Sequence, residues 1–164
     1  MARESLQTLY EHELGDLYSA EKQILDALPK LIKAATHPAL TKALTDHQSV
    51  TEEQVMRLDQ IFEMLGKKPE IEKCKGMEGL LKECDKAIED HKDSDVLDAA
   101  IIACTQRVEH YEMAGYGCAR TYAAMLGMSD QSEILQTTLN EEGEADHHLT
   151  DIAEECINVE AMKV

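Results

Sequence analysis

The sequence predicts an all-helical bundle. Residues with high helix propensity dominate, and only three prolines occur among the 164 residues. No segment shows the alternation of apolar and polar residues that is typical of a half-buried strand. Helix-breaking residues are few and widely spaced, so the helices between them must be long. A chain of this length fits a single domain, residues 1–164, whose core needs no disulfides for stability.

Turn signals divide the chain into four long helices and one short helix. Pro38 suits a first helical residue, and Gly127 suits the end of a long helix. Ser94 and Ser129 are the predicted N-caps of the last two helices. The predicted helices cover residues 3–35, 38–65, 77–91, 95–126 and 130–158.

The lengths of the connections predict the topology. Only a few residues separate the first long helix from the second and the third long helix from the fourth, which favours two antiparallel hairpins. Residues 66–94, which include the short helix, join the hairpins and can cross the length of the bundle. One long crossover between two hairpins predicts a ferritin-like four-helix bundle rather than a simple up-down-up-down bundle.

The composition excludes several classes of partner. Lys and Arg total 16 against 33 Asp and Glu, which gives a formal net charge of −17. Nucleic acid and anionic membranes would be repelled, so we expect neither as a partner. The charge suits either an acidic, well-solvated surface or an interior that binds cations. Five cysteines, an odd number without a Cys-x-x-Cys pair, predict reduced thiols, and we expect a cytoplasmic protein without a signal peptide.

Polar residues interrupt the apolar stripe of each long helix near its midpoint. Positions at alternating steps of three and four residues trace the buried face of a helix. The midpoints of helices of similar length meet at the same height in a bundle, so we expect one polar layer inside the core. The interrupting residues, in chain order, are Glu21, His47, Thr51, Gln54, Gln106, Glu109 and Glu142.

Several carboxylates inside a core predict a cation. An unpaired buried carboxylate is costly, and neighbouring carboxylates repel each other. A divalent metal removes both problems, because carboxylate and imidazole groups are its natural ligands. Bundles that hold two iron or manganese ions use a Glu from each of two helices and Glu-x-x-His from each of the other two. The candidate ligands here are Glu21, His47, Glu109, Glu112, Glu142 and Asp146.

Each candidate ligand also has a plainer interpretation. Glu112 and Asp146 lie off the strict stripe and could be solvent-facing partners in salt bridges. Glu21 could reach the rim of the bundle, and His47 could be an ordinary hydrogen-bonded histidine. Four residues near the same height could either orient ligands or simply pack in the core: Tyr18, His110, Tyr111 and Tyr116.

The same segments resemble the YciE/YciF family, a group of bacterial ferritin-like stress-response proteins. The matches follow one another over nearly the whole chain, and Val-Glu-His-Tyr-Glu is quite specific. The resemblance implies a ferritin-like fold, homodimers and a centre of two divalent ions, iron or manganese, related to that of rubrerythrin. The matching segments are Asp16-Leu-Tyr-Ser-Ala-Glu-Lys-Gln23, Arg57-Leu-Asp-Gln-Ile-Phe62, Lys73-Cys-Lys-Gly-Met-Glu-Gly-Leu80, Val108-Glu-His-Tyr-Glu-Met-Ala114 and Thr138-Leu-Asn-Glu-Glu142.

The second long helix departs from the family pattern. Where relatives read His-Leu-Glu-Glu-Thr, this chain reads His47-Gln-Ser-Val-Thr51, without the acidic residues. Thr51-x-x-Gln54 stands where rubrerythrin-like proteins carry Glu-x-x-His, and these two neutral residues could hydrogen-bond to each other. The predicted site is therefore lopsided, with His47 as the only candidate ligand from this helix.

Three functions are compatible with these observations. A dimetal oxidoreductase of the peroxidase, catalase or ferroxidase kind would oxidise iron or manganese or react with a small oxidant, peroxide or oxygen. A non-enzymatic stress protein would bind a partner, and its polar layer would be a relic or a weak metal site. A metal store would need a ferritin-like shell. The expected dimers and the lack of the fifth helix that ferritins carry disfavour such a shell.

Overall fold

The computed structural model of the protein describes residues 5–69 and 72–163. All regular structure in these ranges is helical, as predicted, and the start predicted at residue 3 lies outside them. None of the helices within these ranges combines the length and the hydropathy that a membrane span requires. The α-helices are α1 (Leu6–Ala34), α2 (Pro38–Met64), α3 (Lys75–His91), α4 (Leu97–Met125), α5 (Ser129–Ile152) and α6 (Asn158–Ala161), and a π-helical turn (Ala153–Ile157) joins the last two.

Local signals set the ends of α2 and α4. Pro38 is the first residue of α2, as predicted, and His37 caps this helix by accepting a hydrogen bond at Nδ1. Gly66 follows α2 and Gly127 follows α4, with positive φ angles of 64° and 76°. This left-handed conformation favours glycine, and it stops both helices where the sequence predicted.

Both predicted serine caps are wrong. Helix α4 begins at Leu97 rather than at residue 95, and Ser94 accepts a hydrogen bond from the Val96 amide in the turn before it. Ser129 is the first residue of α5, and the preceding Met128 makes no side-chain capping bond. A serine near a helix start therefore indicated the turn correctly but not the capping position.

The structure also changes two predicted helix boundaries. Helix α3 starts at Lys75, two residues earlier than predicted, because the Cys74 side chain accepts a hydrogen bond from the Met77 amide and caps it. The last helix is not a continuous α-helix to residue 158. A π-helical turn contains one residue more than an α-helical turn, and here it keeps both Ala153 and Ile157 buried.

Contacts between helix ends fix the direction of each long helix. Asp98, near the start of α4, accepts hydrogen bonds from the Thr36 and His37 amides just before α2, at 2.9 and 2.7 Å. Helices α2 and α4 therefore start at the same end. At the opposite end, the Tyr10 hydroxyl of α1 donates to Gln131 of α5 at 2.8 Å. Helices α1 and α5 thus run together, each packed against α2 or α4, which run the other way.

Helix α3 lies in the long connection and packs against α1 and α4. At its start, the Ser19 hydroxyl of α1 accepts a hydrogen bond from the Cys74 amide at 2.9 Å. Further along, Lys30 of α1 pairs with Asp85 of α3 at 2.5 Å. The connection therefore follows the second half of α1 to the end of the bundle where α4 begins.

A polar layer divides the core into two apolar clusters. One cluster is built around residues such as Leu28, Leu44 and Ile101, and the other around residues such as Leu14 and Leu58. The layer agrees with the midpoint interruptions of the stripes. Its completely buried residues are Glu21, Thr51, Gln54, Glu109, Glu112 and Glu142, and His47 is 9% exposed.

We expect Gly76→Ala to destabilise the protein by about 1–3 kcal/mol, the usual effect of overpacking. A Cβ atom at Gly76 would lie 2.7 Å from Cε2 of Tyr111. The ring cannot easily move, because its hydroxyl donates to Asp16 at 2.8 Å and lies 3.0 Å from the Cys74 sulfur. Gly79→Ala in the same helix meets nothing within 4 Å and should stabilise by about 0.5–1 kcal/mol. Urea unfolding compares the two, and equal effects would contradict the packing argument.

Candidate metal centre

Four buried side chains from three helices meet in the polar layer. His47 of α2, Glu109 and Glu112 of α4 and Glu142 of α5 each contribute one potential ligand atom, and these atoms lie within 4.8 Å of one another. Nε2 of His47 is 3.5 Å from Oε1 of Glu109. The three-residue spacing on α4 places Glu109 and Glu112 on one face of that helix. The result is a compact donor set of three carboxyl groups and one imidazole.

Glu21 of α1 brings a fourth carboxyl group to the edge of this donor set. It is completely buried, although its oxygens are not among the atoms that share the 4.8 Å limit. It lies close enough to Glu112 for the two carboxyl groups to share a hydrogen bond when one is protonated. The Tyr116 hydroxyl donates to Oε1 of Glu21, while Oε2 is buried and meets no hydrogen-bond partner within residues 5–69 and 72–163. The plainer expectation that Glu21 reaches the rim is wrong.

Many polar atoms of the layer have no hydrogen-bond partner among the described residues. They include both oxygens of Glu109 and Glu112, Oε2 of Glu142 and Nε2 of His47. Buried polar groups are nearly always hydrogen-bonded, because leaving them unpaired costs the full desolvation energy. Carboxylate oxygen and imidazole nitrogen are ligands for divalent metals, and one set of bonds to a metal would satisfy these atoms together. The residues present therefore fit a metal centre.

Burial and mutual repulsion change the protonation of the layer. Desolvation, followed by the charge of Glu142, raises the pKa of Glu21 to about 8. The same two causes hold the pKa values of Glu109 and Glu112 well above their usual range. Burial lowers the pKa of His47, so its imidazole is neutral, which is the form that binds metals. Without a metal, protons bound to the carboxyl groups neutralise their negative charge.

Gln54 of α2 contacts the donor set through Glu142. Its Nε2 atom donates to Oε1 of Glu142 and, at 3.2 Å, to Oε2 of Glu141. Arg57 in turn binds Glu141. The pair of Arg57 and Glu141 was not predicted, although Arg57 lies three residues after Gln54 and thus on the same helix face. The expected bond between Thr51 and Gln54 is wrong, because Thr51 donates to the backbone carbonyl one turn earlier in α2, at 2.9 Å.

The three tyrosines predicted near the site have different contacts in the structure. Tyr116 donates to a carboxyl group of the polar layer, and it is completely buried. Tyr111 donates instead to Oδ2 of Asp16 at 2.8 Å, beside the start of α3. Tyr18 packs edge-on against Phe62 with ring centroids 6.2 Å apart. Of the three, Tyr116 is therefore the one placed to orient a candidate ligand.

Asp146 and His110 lie at the rim of the layer. Asp146 is outside the close donor set, and its Oδ1 lies 3.3 Å from Nδ1 of the exposed His110. Oδ1 of Asp146 is also buried without a hydrogen-bond partner among the described residues, so Asp146 as a ligand stays a prediction beside its contact with His110. For Glu112 the interpretation as a solvent-facing partner in a salt bridge is wrong, because this side chain is completely buried.

Comparison with known proteins identifies the family. The family model described as Domain of unknown function (DUF892) matches residues 5–162. The chain is also 40% identical over 162 residues to protein YciF of Escherichia coli strain K12, covering 98% of both proteins. The chain belongs to the YciF family. The resemblance found in the sequence motifs is thereby confirmed.

Solved structures of related proteins share the helical architecture of this YciF-family chain. The crystal structure of the E. coli stress protein YciF matches with a TM-score of 0.91 at 40% identity and covers 95% of this chain and 99% of that one. YcfI of Rhodopseudomonas palustris, described as a candidate structural protein, matches with a TM-score of 0.88 at 44% identity, covering 92% and 97%. A Xanthomonas campestris protein, XCC3681, shares the fold alone, with a TM-score of 0.75 at 18% identity over 96% and 97% of the chains.

Proposed function

We propose that this YciF-family protein is a ferritin-like bundle that holds two divalent metal ions, iron or manganese, and acts in a bacterial stress response. The observation that carries the proposal is the donor set of His47, Glu109, Glu112 and Glu142, buried and largely without hydrogen-bond partners among the described residues. When bound, such ions supply the electron transfer to peroxide or oxygen that side chains do not provide.

The directions of the long helices support the ferritin-like part of the proposal. Helices α1 and α5 run opposite to α2 and α4, and the long connection between α2 and α4 contains α3. Ferritin-like bundles have one such crossover, and their metal sites are built from inward-facing Glu and His side chains on facing helices. Similarity to the E. coli stress protein YciF supports the proposed role in stress.

The number of buried carboxyl groups favours two ions over one. Glu21, Glu109, Glu112 and Glu142 would carry four negative charges when all are ionised. Two divalent ions would balance that charge, whereas a single ion would leave two carboxyl groups to be neutralised by protons.

The chain's own residues have separate tasks in this proposal. The donor set would hold the ions, and Glu21 would close the layer on the α1 side, oriented by the hydrogen bond from Tyr116. The two apolar clusters on either side of the layer exclude bulk water, which strengthens every charge interaction within it. Such a closed site would admit a small oxidant and exclude larger substrates.

We expect chelator-treated protein to rebind about two Mn²⁺ or Fe²⁺ ions per chain, measured by elemental analysis after removal of free metal. Glu109→Gln and Glu142→Gln each remove a charged ligand and should lower the bound metal to one ion per chain or less. Glu144→Gln, exposed on α5, should keep the wild-type stoichiometry. Reloaded wild-type protein should consume peroxide or oxygen faster than metal-free protein. The proposal is wrong if the wild-type protein retains no stoichiometric metal.

A non-enzymatic, partner-binding stress protein is the second candidate function. It is favoured by α2, where the neutral Thr51 and Gln54 stand at the positions of a Glu-x-x-His motif. The similar YcfI is described as a candidate structural protein. This function predicts that Glu142→Ala leaves the cellular stress phenotype unchanged and that crosslinking recovers a partner equally with the variant and the wild type.

We further propose that the protein is a cytoplasmic homodimer, with the location expected from its cysteines and the dimer implied by the family resemblance. A dimer keeps each donor set within one chain, because all its members come from a single bundle. Size-exclusion chromatography distinguishes a dimer from the large shell that a metal store would require.

A further inference from the structure

A chain of hydrogen bonds leads from the surface of the bundle to one candidate ligand. Arg57 of α2 donates to both oxygens of Glu141 on α5, at 2.5 and 2.7 Å. Oε2 of Glu141 also accepts a hydrogen bond from Nε2 of Gln54 at 3.2 Å, and the same Nε2 donates to Oε1 of Glu142. The Arg57 and Glu141 side chains are 22% and 26% exposed, whereas Gln54 and Glu142 are completely buried.

The carboxyl groups of Glu141 and Glu142 determine the orientation of the Gln54 amide. Its nitrogen has two hydrogens to donate, and its oxygen has none. Turning the amide over would place Oε1 against oxygens of both Glu141 and Glu142, so only the observed orientation makes two favourable bonds. In that orientation Oε1 of Gln54 is buried and has no partner among the described residues.

The bond from Gln54 leaves Glu142 with one available oxygen. Oε1 of Glu142 accepts the amide hydrogen, and Oε2 is buried with no partner in the part of the chain that the structure describes. A hydrogen bond to one oxygen of a ligating carboxylate orients the group and directs the metal to the other oxygen. We propose that Gln54 is a positioning residue that presents Oε2 of Glu142 to the metal, and that the Arg57–Glu141 ion pair holds Gln54 in place. This inference rests on the proposed metal centre and deepens it.

Arg57 suits this task better than a lysine would. Its planar guanidinium group binds both oxygens of Glu141 at once, which fixes the plane of the carboxylate as well as its position. It also neutralises Glu141, which would otherwise add an unpaired charge next to Glu142. Lysine would keep the charge but lose the second parallel bond.

Two variants test the inference by metal affinity rather than by activity. Gln54→Met keeps the size of the side chain but removes its hydrogen-bond donor, and Arg57→Lys removes the two-point bond. We expect each to bind Mn²⁺ about 10- to 100-fold more weakly than the wild type, the usual effect of losing a partner that orients a ligand. Competition with a chelating dye measures the affinity. The visible absorption bands of the Co²⁺-loaded variants should also shift, because the ligand geometry changes.

Gln106→Met is the matched control. Gln106 of α4 also reaches α5, where its amide donates to Oγ1 of Thr150 at 2.8 Å and to the backbone oxygen of Asp146 at 3.3 Å. Like Gln54→Met, this substitution removes an amide that hydrogen-bonds between two helices, but it changes no bond to the donor set. Its Mn²⁺ affinity and Co²⁺ spectrum should remain those of the wild type.

The outcomes separate this inference from the proposed function. If the wild type binds stoichiometric metal and both test variants keep its affinity and spectrum, the positioning role is wrong and the metal centre stands. If the wild type binds none, both are wrong. Circular dichroism of the metal-free variants shows whether they fold. Arg57→Lys keeps the charge at the partly exposed end of the chain of bonds, so it decides the question even if Gln54→Met does not fold.

Discussion

We expect Glu21→Gln to raise the free energy of unfolding of the metal-free protein near pH 8 by roughly 4 kcal/mol. The pKa of Glu21 rises from its ordinary value of 4.5 to about 8 in the folded protein, because of burial and the charge of Glu142. A folded-state pKa above the unfolded one gives a stability contribution that is complete below about pH 4.5 and is lost as the pH rises toward 8. Glutamine never ionises, and its oxygen can still accept the hydrogen bond from Tyr116.

Urea unfolding with a chelator, near pH 5 and near pH 8, measures this effect. The variant and the wild type should be close in stability at the lower pH and differ strongly at the higher one. The net charge of −17 also makes the whole protein less stable as its surface carboxyl groups ionise. Glu144→Gln, an exposed change of the same charge, corrects for this general effect. A difference between Glu21→Gln and the wild type that does not grow with pH would contradict the assigned pKa.

The height of the polar layer could be predicted from the sequence because it depends on helix periodicity and connection length alone. Glu109 and Glu142 lie on apolar stripes near helix midpoints, and midpoints meet in a bundle of similar helices. The burial of Glu112, which lies just off the apolar stripe of α4, could not be predicted in the same way. Whether a residue just off the stripe faces the core depends on how closely α1 approaches α4, and here Glu112 lies against Glu21.

The position of Asp146 depends on more than its spacing from Glu142. A residue four positions after Glu142 is rotated by about 40° around α5, because a helix has about 3.6 residues per turn. Glu109 and Glu112 differ by about 60° on α4 and both reach the donor set, so this rotation does not by itself decide which side chains converge. The neighbouring helices decide it, and Oδ1 of Asp146 lies 3.3 Å from Nδ1 of His110.

The partners of Gln54 depend on the register between two helices that are distant in sequence. Gln54 and Glu142 are 88 positions apart, and no local pattern fixes how α2 slides along α5. Side-chain packing fixes it, together with the ion pair of Arg57 and Glu141. The sequence therefore placed a neutral glutamine in the layer but could not assign its bond to Glu142.

Excess Mn²⁺ should stabilise the protein more near pH 8 than near pH 5. Ligands must lose their protons to bind a metal, and the pKa values of Glu109 and Glu112 lie well above the usual range. Near pH 5 these groups keep their protons, so the apparent metal affinity is low. Near pH 8 the metal competes successfully with protons for the carboxyl groups. Free Mn²⁺ at 100 times Kd then adds about 2.7 kcal/mol to the free energy of unfolding for each site. Thermal unfolding with and without Mn²⁺ at both pH values measures the difference.

Glu21→Gln also distinguishes a metal centre from adventitious metal on the acidic surface. The substitution should stabilise the metal-free protein and reduce the stabilisation by Mn²⁺, since it removes both a buried charge and a candidate ligand. Surface binding predicts instead that the Mn²⁺ effect is unchanged in Glu21→Gln and reduced by removal of exposed carboxyl groups. Opposite effects of one substitution on the two states would mean that the buried carboxyl groups destabilise the empty bundle and are needed for the bound ion. That combination is typical of residues kept for function at the expense of stability.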